Sequence, residues 1–168
     1  TVGGFLQIYA NSSLTNVDAL SSLTNVGHLY LGNNNSLVNV NGLSSLATLG
    51  GDFFIFDNSS ITDVNGLSFT SVPGNFNIYN NSSLTNVNGL SSLTSVGGDF
   101  YLQYNNALSQ CCGVLPIINA EINGGGTAIG GNINIYGNLM GCNSATEIPI
   151  ACPCGAGLTL TLSTPVSY

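Results

Sequence analysis

Val2-Gly-Gly-Phe-Leu-Gln-Ile-Tyr-Ala-Asn-Ser-Ser-Leu-Thr-Asn-Val-Asp18 returns as Val72-Pro-Gly-Asn-Phe-Asn-Ile-Tyr-Asn-Asn-Ser-Ser-Leu-Thr-Asn-Val-Asn88, with looser copies between and after. The copies follow one another at 23 or 24 residues. A unit this short cannot bury its own apolar face, so successive units must stack, and stacking at a fixed period of this length makes a solenoid. Function then has to lie on the faces of the stack.

Aligned on the Asn that precedes Ser-Ser-Leu, the copies place Asn11, Asn34, Asn58, Asn81, Asn105 and, beyond an insertion, Asn138 in one column. Five and three residues before each stand Leu6 and Ile8, Leu29 and Leu31, Phe53 and Ile55, Phe76 and Ile78, Phe100 and Leu102, Ile133 and Ile135. Alternation with period two predicts a short strand with these pairs turned inward. Further inward columns follow the Asn, including Leu14, Leu37, Ile61, Leu84 and Leu108, then Val17, Val40, Val64 and Val87. Their spacing of three, without helix formers between, predicts extended segments and corners rather than helix. Asn41-Gly42, Asn65-Gly66 and Asn88-Gly89 mark one corner, where glycine is expected to supply a positive φ. Val2-Gly-Gly and Leu49-Gly-Gly mark another.

This pattern resembles the leucine-rich-repeat superfamily. Within it, the chain is similar to the receptor L-domain type of repeat found in cell-surface receptors and in Bacteroidetes-type secreted or surface proteins. In Asn11-Ser-Ser-Leu14 the Leu follows the Asn by three positions, as in the L-domain variant. The resemblance covers residues 2–108 and, as a partial last coil, 129–138. It implies an all-β or nearly all-β, right-handed β-solenoid of about six coils. The motif is specific for fold and poor for function.

Composition sets the surroundings. The chain of 168 residues has no Lys or Arg, only 4% charged residues and a net charge of -7. Without cations to neutralise phosphates, the counterion release that drives nucleic-acid binding is missing, and anionic membrane surfaces are disfavoured for the same reason. No stretch approaches the roughly 20 apolar residues of a membrane span, so no direct membrane insertion is expected. The chain starts one residue ahead of a repeat, with no polar cap before Val2, so another domain or subunit, or a processed end, is expected at this coil.

Cys111, Cys112, Cys142, Cys152 and Cys154 all lie where the regular repeats have stopped. Their spacings do not match zinc knuckles and no His accompanies them, so disulfides that staple a C-terminal cap are expected in place of a metal site. Cys111 and Cys112 are expected to reach separate partners among the other three. Disulfides imply an oxidising compartment, hence an extracellular or cell-surface location. An odd count leaves one thiol free, paired between chains or paired outside this segment. The domain reading is a repeat solenoid over 1–108, a cysteine-rich cap over 109–154 that includes the coil 129–138, and a strand-like tail or linker over 155–168.

Asn11, Asn34, Asn58 and Asn81 all begin formal glycosylation sequons. In a solenoid corner the Asn amide is expected to turn inward and bond backbone groups, which makes this column a structural ladder. The outward strand positions differ. One column carries Tyr9, Gly32, Phe56, Tyr79, Gln103 and Tyr136; the next carries Gln7, Tyr30, Phe54, Asn77, Tyr101 and Asn134, and Tyr104 extends the surface. Rings beside amides suit a glycan or a protein partner, because the ring offers a stacking plane and the amide directional hydrogen bonds. The same rings also serve as cross-strand pairs that stabilise the sheet.

A third column reads Phe5, His28, Asp52, Asn75, Asp99 and Asn132. His28 and Asp52 are expected to be neighbours within ion-pair distance, but the near candidate for a nucleophile beyond the His is Tyr30 and the face has no pocket-forming insertion, so no catalytic residue is assigned. No cofactor and no metal site are expected. The functional expectation is a non-catalytic extracellular binding or adhesion module that recognises glycan or protein through Tyr9, Tyr30, Phe54, Phe56, Tyr79, Tyr101, Tyr104 and Tyr136. Two alternatives remain open. The Thr15, Thr62 and Thr85 hydroxyls on a charge-poor solenoid point to ice binding, although Val38 breaks the column. The tail, with Leu158, Leu160 and Leu162 alternating, points to a filament subunit whose copies assemble head to tail by strand addition. If the tail adds a strand to another copy, a chain ended at Gly155 assembles less than the full-length chain, and equal masses by mass photometry rule out that route.

Overall fold

The computed structural model describes residues 1–152; Cys154 and the tail 155–168 lie outside the described residues. The chain is mostly β, with parallel strands wound into a solenoid and little helix. Its main strands are β1 (Val2–Tyr9), β2 (Asn25–Gly32), β4 (Phe53–Phe56), β6 (Phe76–Tyr79), β8 (Phe100–Gln103) and β9 (Ile133–Tyr136), stacked in that order in one parallel sheet. Shorter strands β3 (Thr48–Leu49), β5 (Ser71–Val72) and β7 (Ser95–Val96) precede the main strands of their coils. From Val2 the chain returns to the same point at Val26, Leu49, Val72 and Val96, so about four turns are of regular length. The next passage is longer and returns at Ile129.

Register follows the apolar pairs. Leu29 sits opposite Phe53, Phe53 opposite Phe76, Phe76 opposite Phe100 and Phe100 opposite Ile133. A one-residue slip would turn every inward side chain out, so burial on one face pins the pairing. Phe53, Phe76 and Phe100 stack inside the coil with ring centroids 5.2 and 4.8 Å apart. They form a fully buried spine, with Phe69 against Phe53 from the opposite wall. In the first coil Leu6, Ile8, Leu14 and Leu20 are only partly buried, because no described coil covers that end.

The Asn column carries the corners. Asn34, Asn58, Asn81 and Asn105 are wholly buried. Each Oδ1 accepts the backbone N–H of the Asn one coil earlier: Asn11 to Asn34 at 3.0 Å, Asn34 to Asn58 at 2.9 Å, Asn58 to Asn81 and Asn81 to Asn105 at 3.1 Å. Each Nδ2 donates to the strand carbonyl of that earlier coil, Asn34 to Ile8, Asn58 to Leu31, Asn81 to Ile55 and Asn105 to Ile78. The run continues through Asn138 and stops at Asn143, whose Oδ1 accepts the Asn138 N–H at 3.0 Å. Asn143 has no place in the repeat, so spacing could not reveal it.

The glycine corner differs from the sequence expectation. Gly42, Gly66 and Gly89 do not have positive φ; Gly42 and Gly89 are the middle residues of short 3-10 turns at Asn41–Leu43 and Asn88–Leu90. Glycine is needed there for closeness: a Cβ on Gly42 would lie 1.9 Å from the Val17 carbonyl oxygen, and on Gly89 2.1 Å from that of Val64. The left-handed residues stand instead just before each ladder Asn: Ala10, Asn33, Asp57, Asn80 and Tyr104, with φ between 52° and 58°. Gly137 holds the same place before Asn138, with φ 70°. Asn and Asp tolerate this conformation better than most residues.

Two helices in the C-terminal third were not anticipated by the sequence reading. α1 (Leu115–Asn123) has Pro116 in its first turn, where a missing N–H costs nothing, and buries Leu115, Ile117 and Ile118; α2 (Glu147–Ala151) buries Ile148. Disulfides join Cys111 to Cys142 and Cys112 to Cys152, across sequence separations of 31 and 40 residues. The vicinal cysteines therefore reach separate partners.

Replacing a ladder Asn strips a backbone N–H and two carbonyls of their partners. Asn58→Ala is expected to lose about 2–4 kcal/mol of stability, since each buried group left unpaired costs about 1–3 kcal/mol. Asn11→Ala, at the exposed end, is expected to lose far less; equal urea midpoints for the two variants would contradict the ladder's role.

Candidate functional site

The outward face of the main sheet is built from three residue columns that the inward pairs force into register. Gln7, Tyr30, Phe54, Asn77, Tyr101 and Asn134 form the middle column, and Tyr9, Gly32, Phe56, Tyr79, Gln103 and Tyr136 the next. Strand spacing of about 4.8 Å lets neighbouring rings pack face to face. Tyr30 and Phe54 do so at 4.8 Å with a 7° interplanar angle, and Phe56 and Tyr79 at 5.2 Å with 8°. Gly32 makes room for the Phe56 ring, which a Cβ there would meet at 2.3 Å. Tyr9 is tilted against Phe56 from the other side at 6.2 Å.

The two ring stacks stop in the middle of the face. Beyond Phe54 comes Asn77, then Tyr101; beyond Tyr79 comes Gln103, then Tyr136. Where amides replace rings the surface sinks into an open depression of about 450 Å³ lined by Phe54, Asn77, Tyr79, Tyr101, Gln103, Asn134 and Tyr136. Tyr104 lies outside the strand, on a left-handed corner, and meets Tyr136 edge to face at 5.0 Å. The structure thus brings Phe54, Tyr79, Tyr101 and Tyr136 around one depression. Tyr9, Tyr30, Phe56 and Tyr104 flank it.

The third column is a second ladder, which the sequence reading missed. His28 Nδ1 accepts the Asp52 N–H at 3.0 Å, Asp52 Oδ1 accepts the Asn75 N–H at 2.8 Å, Asn75 Oδ1 accepts the Asp99 N–H at 2.9 Å, and Asp99 Oδ1 accepts the Asn132 N–H at 2.7 Å. The signal was present in the residue types: His, Asp and Asn all place an acceptor at the δ position. Reading them as charges hid the shared geometry.

This ladder bears on chemistry. His28 Nδ1 also lies 3.2 Å from Asp52 Oδ2, the distance of an ion pair. Yet the same nitrogen accepts a backbone N–H, so while that bond holds it has no proton to offer the carboxylate. The Tyr30 hydroxyl donates to Asp52 Oδ2 at 3.1 Å, and Phe5 covers the His ring at 4.4 Å. Burial by itself would push the Asp52 carboxyl up, but hydrogen bonds from the Asn75 N–H and the Tyr30 hydroxyl hold the group below the usual Asp range. The same carboxylate, after burial, keeps the Tyr30 hydroxyl protonated to higher pH. At Tyr101 the hydrogen bond donated to Asp99, at 2.8 Å, does the same and anchors the ring. Burial, then the charge of Asp57, raises Tyr79. All three phenols are hydroxyl donors at neutral pH.

Among the described residues no group of three or more His, Cys, Asp or Glu is placed to hold a metal ion, and no helix is long and apolar enough to cross a membrane. No family model, curated protein or solved structure matches this chain.

Because the folded Asp52 carboxyl is more acidic than the unfolded one, the unfolded state binds more protons as pH falls. Its stabilising contribution is therefore present above the ordinary Asp value of 3.8 and is lost as pH drops through the lower folded value. Denaturant melts at pH 7 and pH 3 are expected to show a smaller acid loss for Asp52→Asn, which keeps the Oδ1 acceptor, than for the parent chain; identical losses would remove Asp52 from this role.

Proposed function

We propose that this chain is a non-catalytic extracellular binding or adhesion module that recognises a glycan or a protein through the outward aromatic and amide face of its sheet. The observation that carries the reading is the open depression between Phe54, Tyr79, Tyr101 and Tyr136, floored by amides. Rings at its rim are held in place before any ligand arrives, Phe54 by Tyr30, Tyr79 by Phe56 and Tyr101 by Asp99. Preformed walls reduce the ordering cost of binding. His28 and Asp52, the residues nearest to catalytic types, are occupied in a hydrogen-bond ladder with backbone.

The finer architecture belongs to the same proposal. The six main strands are read as coils of a leucine-rich-repeat, L-domain-like rod, the last partial, and the disulfide-tied segment from 109 onward as its C-terminal cap. Disulfides are compatible with an extracellular location. A filament subunit is the second reading, favoured by the outer edge of β1, which pairs with no strand among the described residues. Ice binding is weaker, because the Thr85 hydroxyl donates to the Thr62 carbonyl at 3.0 Å and the Thr94 hydroxyl to the Thr70 carbonyl at 3.1 Å. Hydroxyls committed to their own backbone are less able to order water.

The double variant Tyr79→Ala with Tyr101→Ala is expected to lose binding to a glycan array or to cell-surface extracts by about tenfold or more, the scale of removing aromatic anchors from a binding face. Unchanged binding would defeat the strand-face assignment.

A further inference from the structure

The geometry points to a slot for the ring of a neutral pyranoside, gripped between Phe54 and Tyr101 with Asn77 as its floor; this deepens the strand-face reading and depends on it. Phe54, Asn77 and Tyr101 occupy one register position on three successive strands. Two strand steps separate the flanking rings by about 9.6 Å. Where this column has rings on adjacent strands, they close the step completely, as Tyr30 and Phe54 do at 4.8 Å. At Asn77 the step holds only a short amide, so the space above it is one ring thick.

The next column repeats the arrangement. Gln103 stands between Tyr79 and Tyr136, and both columns line the same depression. The two gaps are offset by one strand, Asn77 beside Tyr79 and Gln103 beside Tyr101, and both open into the same depression, which Asn134 also lines.

Asn77 supplies an independent observation. Although the residue is only partly buried, its Oδ1 is wholly buried and accepts no hydrogen bond. Nothing in the sheet requires an amide there, and an aromatic at this position would continue the stack from Phe54. A buried unpaired carbonyl is unfavourable unless a partner arrives. Rotation about the last side-chain bond of Asn is soft. Turning the amide exchanges its carbonyl and NH2, so either polar end can face the slot and pair with a ligand hydroxyl.

The same features choose among ring ligands. A pyranose offers C–H faces to Phe54 and Tyr101 and hydroxyls around its rim for Asn77, Gln103 and Asn134. An aromatic side chain of a protein partner fills the slot but leaves those amides without partners along its edge. An acidic sugar meets a chain of net charge -7 that has no Lys or Arg to pair with it. The class is therefore a neutral sugar.

The test is nuclear magnetic resonance titration of the isotope-labelled full chain with methyl β-glucopyranoside, methyl β-galactopyranoside, methyl α-mannopyranoside, N-acetylglucosamine and glucuronate. At least one neutral sugar is expected to shift the Asn77 side-chain amide together with the Phe54 and Tyr101 ring signals, and glucuronate to bind about tenfold more weakly or less. Asn77→Phe fills the slot while extending the existing stack, so it keeps the fold and is expected to lose about tenfold or more in affinity. Gln7→Ala, outside the depression, is expected to bind as the parent does. The proposal is overturned if no neutral pyranoside shifts these signals at millimolar concentration, or if Asn77→Phe binds undiminished. In either case a Tyr79→Ala, Tyr101→Ala chain that still loses its surface partner would leave the strand face standing without the sugar slot.

Discussion

Everything in this molecule rests on the hydrogen bond from the backbone N–H of one ladder Asn to the side-chain carbonyl of the next. A solenoid corner turns the chain away from its neighbours' strands and would bury backbone groups with no partner. The Asn amide reproduces a peptide unit at that place: Asn34 accepts the Asn11 N–H and donates to the Ile8 carbonyl of the same coil. It can reach inward because the preceding residue is left-handed, an expense of roughly 1 kcal/mol for a non-glycine residue. That strain recurs from Ala10 to Tyr104, so the ladder must outweigh it at each turn. At the far end Asn143 completes the last rung, and Glu147 holds it by accepting the Gly141 and Asn143 N–H groups.

The ladder and the buried phenylalanine spine together set the register, and the register makes the outer face. With Phe53, Phe76 and Phe100 stacked inside, Phe54, Asn77 and Tyr101 have no choice but to line up outside. A ligand surface on such a scaffold needs no strained loop. It needs only a change of residue type within a column, and the replacement of rings by Asn77 and Gln103 is such a change. The second ladder, from His28 to Asn132, holds the strand entries and orients the phenols of Tyr30 and Tyr101 through Asp52 and Asp99. Acidic side chains on this face thus serve as acceptors and ring anchors.

Much of this was legible in the repeat. Inward and outward positions follow from period two, and the Asn column stands out because the same residue recurs where an amide is required. The candidate rings were likewise visible as a list. Their grouping was not, because the sequence has no record of which neighbouring rings stack and which are separated by an amide until the strands are placed side by side. The corner glycines were recognised but given the wrong reason: Gly42 is demanded by the Val17 carbonyl of another coil, a contact with no local signature. Helix α1 escaped notice although Pro116 stands in its first turn and Ile117 and Ile118 face the core, since the repeat pattern had already ended and no period remained to be read.

By itself the sequence determined that the chain stacks parallel coils, which side chains face inward and which stretch lies beyond the regular repeats. These follow from periodicity and hydrophobic burial, which are local properties repeated along the chain. Only the tertiary structure decided the pairing of Cys111 with Cys142 and Cys112 with Cys152, the ending of the Asn ladder at Asn143 and the use of His28 and Asp52 as ladder acceptors. It also decided where the aromatic stacks break to leave a depression. Each of these depends on distances between residues more than twenty positions apart or on a segment without repeat, and such distances exist only once the coils have closed on one another.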